Sequence, residues 1–367
     1  MPSLFRICAA ALVAAISVGN ASAQSIPVAE PTGPVDIDSV GSFGFSHGSF
    51  IVAPIPFQNP TLDAGLALGG AYLFDADPGS DSSSIGLGGF KTSNDSRGFG
   101  LGVNLNLGAN RWQTSFVAAD ADLNYDLYSG EGTLPVRQTV RGGRLKFGYG
   151  VNRELTLGVG LSYAETSLEV ATRRVLTDYE RDARVNLVKG LLYAELDRRD
   201  DGFYPTTGQL LSAEFSFGQL TNQRERSYAK GLLSAAAYAP VGSEGVLAGL
   251  VTLCAVQDDA PFFDACALGP SDAFRGYAGT QFIDNALLSV QSEYRGRIVG
   301  RLGYVLFAGA GAVGSDLASA LDGPYHAAAG AGLRYRLSKS FPVDYAVDVS
   351  FNDDGEELLY ISVGQRF

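Results

Sequence analysis

The feature that most constrains this chain is a strict alternation of apolar residues with polar residues or glycine. Clear runs lie at 99–108, 155–163, 212–217 and 343–352. A period of two predicts a β-strand with one apolar and one polar face. Strands of soluble domains average about five or six residues, whereas strands that cross a bilayer need roughly 9–11. The longer runs therefore favour a transmembrane β-barrel.

Turn-forming residues divide 41–367 into sixteen such segments, which predicts an all-β fold: a transmembrane antiparallel β-barrel of about 16 strands. We place the strands near 41–57, 64–74, 84–93, 98–109, 111–125, 138–150, 154–170, 184–198, 208–220, 226–239, 245–257, 284–297, 299–313, 325–338, 342–352 and 357–367. Tight connections alternate with longer ones at 126–137, 171–183 and 258–283, as short periplasmic turns alternate with long outer loops in known barrels.

The composition supports the same class. Only 18% of the residues are charged, and glycine is abundant with 46 residues. The most apolar stretch after the N-terminus, 232–251, is interrupted by Pro240 and Glu244, so no helical membrane span is expected there. The net charge of −12 argues against a nucleic-acid partner.

The N-terminus predicts export. Residues 1–24 have the pattern of a secretory signal peptide: Arg6, a short apolar run to Val18, and the A-x-A site at Ala21–Ala23. The alternative, a membrane anchor, needs a longer apolar run. The expected organisation is a signal peptide at 1–24, a short segment at 25–40 and the barrel at 41–367. The expected location is the outer membrane, reached through the periplasm, with its lipid as surroundings.

Two cysteines lie beyond the predicted signal peptide, Cys254 and Cys266. An exported protein meets an oxidising compartment, where a disulfide between them is one outcome. Two unpaired thiols are the other, and the sequence leaves both open.

Two motifs stand out from the alternating pattern. The first is the turn from Asp197 to Gly208, in which proline and glycine interrupt a charged stretch. The second is Arg275 between aromatic residues in the longest loop. Alternation in the next strand directs Glu293 towards the lumen, together with Ser289, Gln291, Arg295 and Arg297. If the loop folds inward, Arg275 meets Glu293 there.

These motifs resemble the barrel of the BamA/TamA superfamily, also called the bacterial surface antigen family. The resemblance is specific over 190–367 and general over 40–190. It rests on the turn residues Asp197, Arg199, Tyr204, Pro205 and Gly208, on Arg275, Gly276 and Tyr277, on Glu293, on the segments 330–334 and 342–346, and on the terminal aromatic residue Phe367.

The resemblance implies an inward-folded sixth outer loop that is locked when Arg275 pairs with acids of the inner wall. It assigns Phe367 to a C-terminal assembly signal. The family's second acid lies in an F-x-D-x-G motif, where this chain has Gly309. Two outcomes are open: a weaker lock, or substitution by another acid such as Asp344 or Asp348. Relatives usually carry periplasmic POTRA domains. The short segment before the first predicted strand cannot hold one, which indicates a POTRA-less branch.

The resemblance implies a role in inserting or translocating proteins at the outer membrane, with client outer-membrane proteins or a separate periplasmic protein as partners. The alternatives are a passive porin-like channel and a membrane anchor for a separate partner. An enzyme is not expected, because His47 and His326 lie in no serine-nucleophile motif. No cofactor is expected, and no cysteine, histidine and acid cluster has metal-site spacing.

Overall fold

The computed structural model describes residues 48–77, 79–129, 132–170, 184–202, 204–221, 226–269, 274–336, 344–365 and 367. The predicted signal peptide, the segment 25–40 and the predicted loop 171–183 lie outside the described residues. Among the described residues, no helix combines the length and apolar character of a membrane span.

The barrel is built from sixteen strands within the described part of the chain. The first eleven are β1 (Gly48–Asn59), β2 (Asp63–Phe74), β3 (Ser83–Thr92), β4 (Arg97–Leu107), β5 (Trp112–Ser129), β6 (Gly132–Gly150), β7 (Leu155–Val170), β8 (Val185–Asp197), β9 (Gly208–Leu220), β10 (Arg226–Val241) and β11 (Gly245–Val256). The last five are β14 (Ala286–Val299), β15 (Leu302–Gly314), β16 (His326–Arg336), β17 (Asp344–Asn352) and β18 (Glu357–Val363).

The long loop between β11 and β14 has structure of its own. It holds a 3₁₀ turn (Phe262–Asp264) and a small two-stranded sheet of β12 (Cys266–Leu268) and β13 (Phe282–Asp284). A short helix α1 (Leu317–Asp322) lies between β15 and β16. Sequence alternation did not predict these elements, because segments of three to six residues are too short to show a period.

Each of the sixteen barrel strands pairs antiparallel with the next barrel strand along the chain, so that β11 pairs with β14. The barrel closes where β1 pairs with β18. This confirms the predicted fold class. Large apolar side chains form an exposed outer band, for example Leu87, Phe99 and Phe217, which are 70%, 68% and 60% exposed. Such a band is typical of a lipid-facing wall.

The expected loop at 126–137 is wrong. β5 and β6 continue through most of it as a hairpin of 18 and 19 residues per strand. The segment contains the turn-forming residues Ser129, Gly132 and Pro135, which resemble a loop in the sequence. The backbone ladder nevertheless continues as far as the pair of Ser129 and Gly132.

The outer half of the lumen holds an apolar core. Inward residues of the β5–β6 hairpin, including Leu123, Tyr125 and Val136, belong to one cluster with Phe263 and Leu268 of the long loop. The loop therefore lies inside the barrel mouth, which positions its Arg275 motif next to the inner wall.

Candidate functional site: the loop lock and the seam

The long loop is attached to the barrel through a disulfide between Cys254 at the end of β11 and Cys266 of β12. The two Cα atoms are 5.8 Å apart and the bridge spans 12 residues of sequence. The open alternative of two free thiols is not what the structure contains. The bridge keeps the first half of the loop close to the wall.

Arg275 is the centre of the candidate site and is 1% exposed. Its guanidinium forms an ion pair with Glu293 of β14 and another with Asp348 of β17, at 3.0 Å. It also donates to the Gln291 side-chain oxygen at 2.8 and 3.0 Å. The guanidinium carbon lies 3.7 Å from the centre of the Phe307 ring. A planar guanidinium is suited to this set, since it binds carboxylates at its edges and an aromatic ring at its face.

Two further arginines complete a buried network. Arg295 donates to Glu293 at 2.7 Å, and Arg334 forms an ion pair with Asp348. Glu293 thus faces three guanidinium groups, with that of Arg334 4.0 Å away, and Asp348 faces two. The network joins the loop to β14, β16 and β17. Removing one member of such a buried set leaves the others without a counter-charge, which is far more costly than breaking a surface pair.

The structure resolves which acid replaces the missing aspartate at Gly309. Asp348 contacts Arg275, whereas Asp344 binds Arg336 and the Gln365 amide instead. A Cβ at residue 309 would lie 2.6 Å from the Val290 carbonyl oxygen and 2.8 Å from the Phe274 ring. Gly309 therefore gives space to an aromatic residue of the loop, and the acid is supplied from another strand.

Gly276 and Tyr277 fix the loop tip. Gly276 has φ +142°, and a Cβ there would lie 2.1 Å from the Cβ of Ala328, so only glycine fits. Its N–H donates to the Tyr360 hydroxyl of β18 at 2.9 Å. The Tyr277 hydroxyl donates its one hydrogen in a bond shared between the Asp353 carboxylate and the Ala327 carbonyl oxygen, which lies 2.8 Å away. All three residues of the motif thus contact the last strands.

A second anchor was missed by sequence reasoning. Asp264, 1% exposed, is bonded by Lys189 of β8 at 3.0 Å, by Lys230 of β10 at 3.4 Å and by the Tyr228 hydroxyl at 2.5 Å. Burial alone would raise its pKa, but the two ammonium groups outweigh it and the pKa lies below the ordinary value. The only signal in the sequence was that alternation places both lysines on the inward faces of their strands.

The turn from Asp197 to Gly208 is ordered by its own carboxylates, while Phe203 lies outside the described residues. Asp197 binds the Arg199 side chain at 2.7 Å, and Asp200 accepts from the backbone N–H groups of Thr206 and Thr207. Gly208 has φ +100°, and a Cβ there would lie 2.0 Å from the Arg198 carbonyl oxygen. The turn thereby holds its central tyrosine and proline towards the lumen.

Tyr204 and Pro205 contact the buried arginine network through Arg295. The Tyr204 ring lies 5.5 Å from the Arg295 guanidinium carbon and 4.8 Å from that of Arg336. Arg295 also donates to the Pro205 carbonyl at 3.4 Å. The family turn and the loop motif, far apart in sequence, therefore meet through Arg295.

Alternation over 359–367 predicts that Phe367 shares a face with Leu359, Ile361 and Val363. The structure places it elsewhere. Gly364, with φ +92°, ends the strand and turns the chain inward. Phe367 packs on an inner cluster that includes Tyr238 and Ala248, and its carbonyl accepts from Arg295. Its role as an assembly signal stays a prediction.

Arg297 keeps the alternation, since it is in register with Gly303, and lines a pocket together with Tyr204 and Arg295, although its side chain is exposed. His326 stacks on Phe282 with ring centroids 3.6 Å apart, which is a packing position under the loop. His47 lies outside the described residues, as do Pro342 and Val343 of the family-like segment 342–346.

The seam between β1 and β18 differs from every neighbouring pair. In the described residues its register is one pair, Gln58 with Ile361, whereas β1 pairs with β2 from Gly48 to Asn59. The β1–β2 ladder runs unbroken through Pro54 and Pro56, so their ring nitrogens point to the opposite edge, which faces β18. Two donors are therefore missing from the seam side of β1.

A closed sixteen-stranded barrel with an arginine-locked inward loop and a short seam defines a class of outer-membrane barrel. The Omp85 superfamily domain matches residues 54–367, most of the chain, and the chain therefore belongs to the Omp85 superfamily. This confirms the resemblance stated from the motifs. Barrels of this family lie in the outer membrane.

Solved structures with the same fold include BamA from Haemophilus ducreyi lacking POTRA domains 1–3, with 15% identity and a TM-score of 0.59 over 86% of this chain. CdiB from Acinetobacter baumannii and CdiB from Escherichia coli match with 11% and 15% identity, each with a TM-score of 0.59, over 87% and 88% of this chain. The chain covers 70% of that BamA chain and 60% and 63% of the CdiB chains. Among curated proteins no match is found. At these identities the likeness shows the fold alone.

Proposed function

We propose that this protein is exported to the outer membrane and inserts or translocates other proteins there, by opening the barrel between β1 and β18. The observation that carries the proposal is the incomplete seam. Client outer-membrane proteins are the proposed substrates, and a separate periplasmic protein is the proposed partner that delivers them.

The seam argument is one of hydrogen bonds. Each backbone bond contributes about 0.5–1.5 kcal/mol net, and an unpaired edge is a template for another strand. Continuing the register from Gln58 and Ile361 places Pro56 opposite Val363, where β18 ends. Proline on one side and the inward turn at Gly364 on the other keep the ladder short. An edge of this kind can release its partner and pair with a client strand.

The loop supports the proposal because it contacts both sides of the seam. Its Gly276 N–H bonds Tyr360 of β18, and its Gly279 N–H bonds the Thr61 hydroxyl in the β1–β2 turn at 3.3 Å. A locked loop thus bridges the outer end of the seam. We infer that the Arg275 network sets how easily the seam opens.

A passive channel would need a free path through the outer mouth. The described loop residues fill that mouth with an apolar core, together with β5 and β6, which disfavours steady conduction. Large conductance in planar bilayers that is unchanged by Arg275→Ala would favour the channel and contradict the lock. A protein that served only as a membrane anchor would have no use for a short seam.

The proposal is tested by deleting the gene and comparing outer-membrane proteomes, with wild-type protein and Arg275→Ala supplied in trans. Loss of a defined set of barrels or surface proteins, restored by the wild type and only weakly by the variant, is the expected result. An unchanged proteome with altered solute uptake would refute an assembly role.

A further inference from the structure

The outer wall carries a second feature, at the level where its apolar band ends. On the outer face of β5, Phe116 precedes Asp120 and Asp122, and on β7 Tyr163 precedes Glu165. The transition falls at the same height on both strands, since the register pairs Asp120 with Arg141 of β6, and Arg141 with Glu165. Below this line the wall faces lipid tails.

The charged residues alternate in sign across neighbouring strands. Arg141 binds Asp120 at 2.6 Å, and Arg97 of β4 approaches Asp122 at 3.7 Å. Arg141 and Arg97 are nevertheless 76% and 71% exposed along their side chains. A guanidinium has five donors, and these pairs use only one edge of it. Most of the donor capacity of both arginines points outward.

These side chains line a recess of about 690 Å³ on the barrel exterior, a surface that is convex on an ordinary barrel. Its charged lining comprises Arg97, Asp120, Asp122, Arg141, Glu165 and Arg184. Phe99, which belongs to the lipid-facing band, lines it as well. The recess is therefore continuous with the surface that contacts lipid tails. We call it the outer-wall recess.

The recess lies at the outer end of the barrel. The Thr280 hydroxyl of the long loop donates to the Asp126 carbonyl of β5 at 2.9 Å, which places the end of this hairpin beside the loop. Long loops mark the external side of bacterial barrels. The recess is thus level with the headgroups of the outer leaflet.

We propose that the outer-wall recess binds the phosphorylated headgroup of an outer-leaflet lipid. Three guanidinium groups supply bidentate phosphate donors. Two of the three carboxylates in the lining are neutralised by close ion pairs, Asp120 with Arg141 and Asp122 with Arg137, so they oppose an incoming phosphate only weakly. The acyl chains would lie over Phe99 and the apolar band below. A soluble anion would contact the arginines of the recess but not Phe99 or the apolar band below it.

The test measures binding of hexa-acylated lipid A to the purified full-length barrel in detergent with Mg²⁺, by native mass spectrometry. The paired variant Arg97→Ala/Arg141→Ala is expected to lose at least fivefold in bound lipid. Arg198→Ala is the matched control, since Arg198 is about half exposed and pairs with Glu154 at 2.7 Å at the opposite end. It is expected to bind like the wild type.

Folding is checked by heat-modifiable gel mobility. If the alanine pair does not fold, Arg97→Ala alone is expected to reduce binding, and Arg97→Lys/Arg141→Lys to retain most of it. Dephosphorylated lipid A should bind more weakly than lipid A, while millimolar inorganic phosphate should not displace the lipid. Equal binding by wild type and alanine variants, equal binding of dephosphorylated lipid, or full displacement by inorganic phosphate would overturn the proposal.

Discussion

At the scale of single residues, Arg275 shows how a loop can be held by a few buried charges. Its side chain is fully enclosed and has two carboxylates, an amide oxygen and an aromatic face as partners. Arrangements of this kind add little net stability over a well-packed apolar core, but they specify one position for the loop. Their loss is expected to change loop position before it changes the barrel.

We predict that Arg275→Ala destabilises the locked state by about 3–5 kcal/mol, because Glu293 and Asp348 lose a shared counter-charge in a buried site. The measurement is the folded, heat-modifiable fraction together with protease sensitivity of the loop. Arg297→Ala is the control, since Arg297 is exposed on the same strand. Equal mobility and equal loop protection in both variants would contradict the pairing.

Gly309→Asp restores the acid that the family motif carries, yet we predict that it weakens this protein by about 1–3 kcal/mol. The new Cβ would meet the Val290 carbonyl and the Phe274 ring. The thermal unfolding temperatures of Gly309→Asp and Gly309→Ala should be lower than that of Gly190→Ala. At Gly190 no atom lies within 4 Å of the added Cβ. A gain in stability from Gly309→Asp would show that the Asp348 substitution is incidental.

The sequence predicted the site unevenly, for physical reasons. Glu293 was placed in the lumen because β14 alternates regularly as far as Arg297, after which the register shifts. Asp348 remained one of two choices because Asp344 lies on the same face of β17. Asp264 could not be found, since its contacts depend on how an aperiodic loop folds back over β8 and β10.

At the scale of elements, the long loop has two independent anchors on opposite sides of the lumen. Arg275 binds β14 and β17, whereas Asp264 binds β8 and β10, and the disulfide lies between them. The pattern of sixteen strands was predictable from alternation. The length of β5 and β6 was not, since alternation of polarity fades once a strand leaves the membrane.

The Asp264 anchor is expected to weaken in acid. Its folded pKa lies below the unfolded value of about 3.9, so its contribution to stability is complete at neutral pH and is lost as the pH falls below about 4. The groups that face it are Lys189, Lys230 and Tyr228, with Glu214 nearby.

Thermal unfolding of wild type and Asp264→Asn, followed from pH 7 to pH 3, measures this contribution. The difference between the two proteins should be largest at neutral pH and shrink in acid. The Glu154→Gln variant, which removes an exposed carboxylate, should follow the wild type at every pH. A difference that is constant with pH would contradict the anchor.

At the scale of the whole molecule, a barrel that is well paired around most of its circumference has one short seam, and the inward loop lies across its outer end. Pro54 and Pro56 remove donors from the edge of β1, and Pro56, opposite the end of β18, keeps the seam short. Both side chains are exposed on the outer wall, so their effect is on the backbone ladder and not on packing inside the lumen.

We predict that Pro54→Val/Pro56→Val lengthens the β1–β18 ladder by one bond, at residue 56, and slows client insertion, because the register places residue 54 beyond the end of β18. Hydrogen exchange should show new protection at residue 56, worth about 0.5–1.5 kcal/mol, and none at residue 54. Pro135→Val, at the exposed outer end of β6, is the control and should leave insertion unchanged. Faster insertion by the double variant would oppose the seam model.

The most direct measurement of the central claim is client insertion with the seam covalently closed. Gln58→Cys/Ile361→Cys places two thiols opposite each other across the seam between β1 and β18. Ala213→Cys/Leu233→Cys places two thiols opposite each other on β9 and β10 and is the control. Both proteins are reconstituted in liposomes and given an unfolded outer-membrane protein, before and after reduction, so that the native disulfide is reduced equally in both. We predict that the oxidised seam pair fails to accelerate folding of the client and recovers on reduction, while the β9–β10 pair is active throughout. Equal acceleration by the oxidised and reduced seam pair would contradict the claim that the seam is where this barrel works.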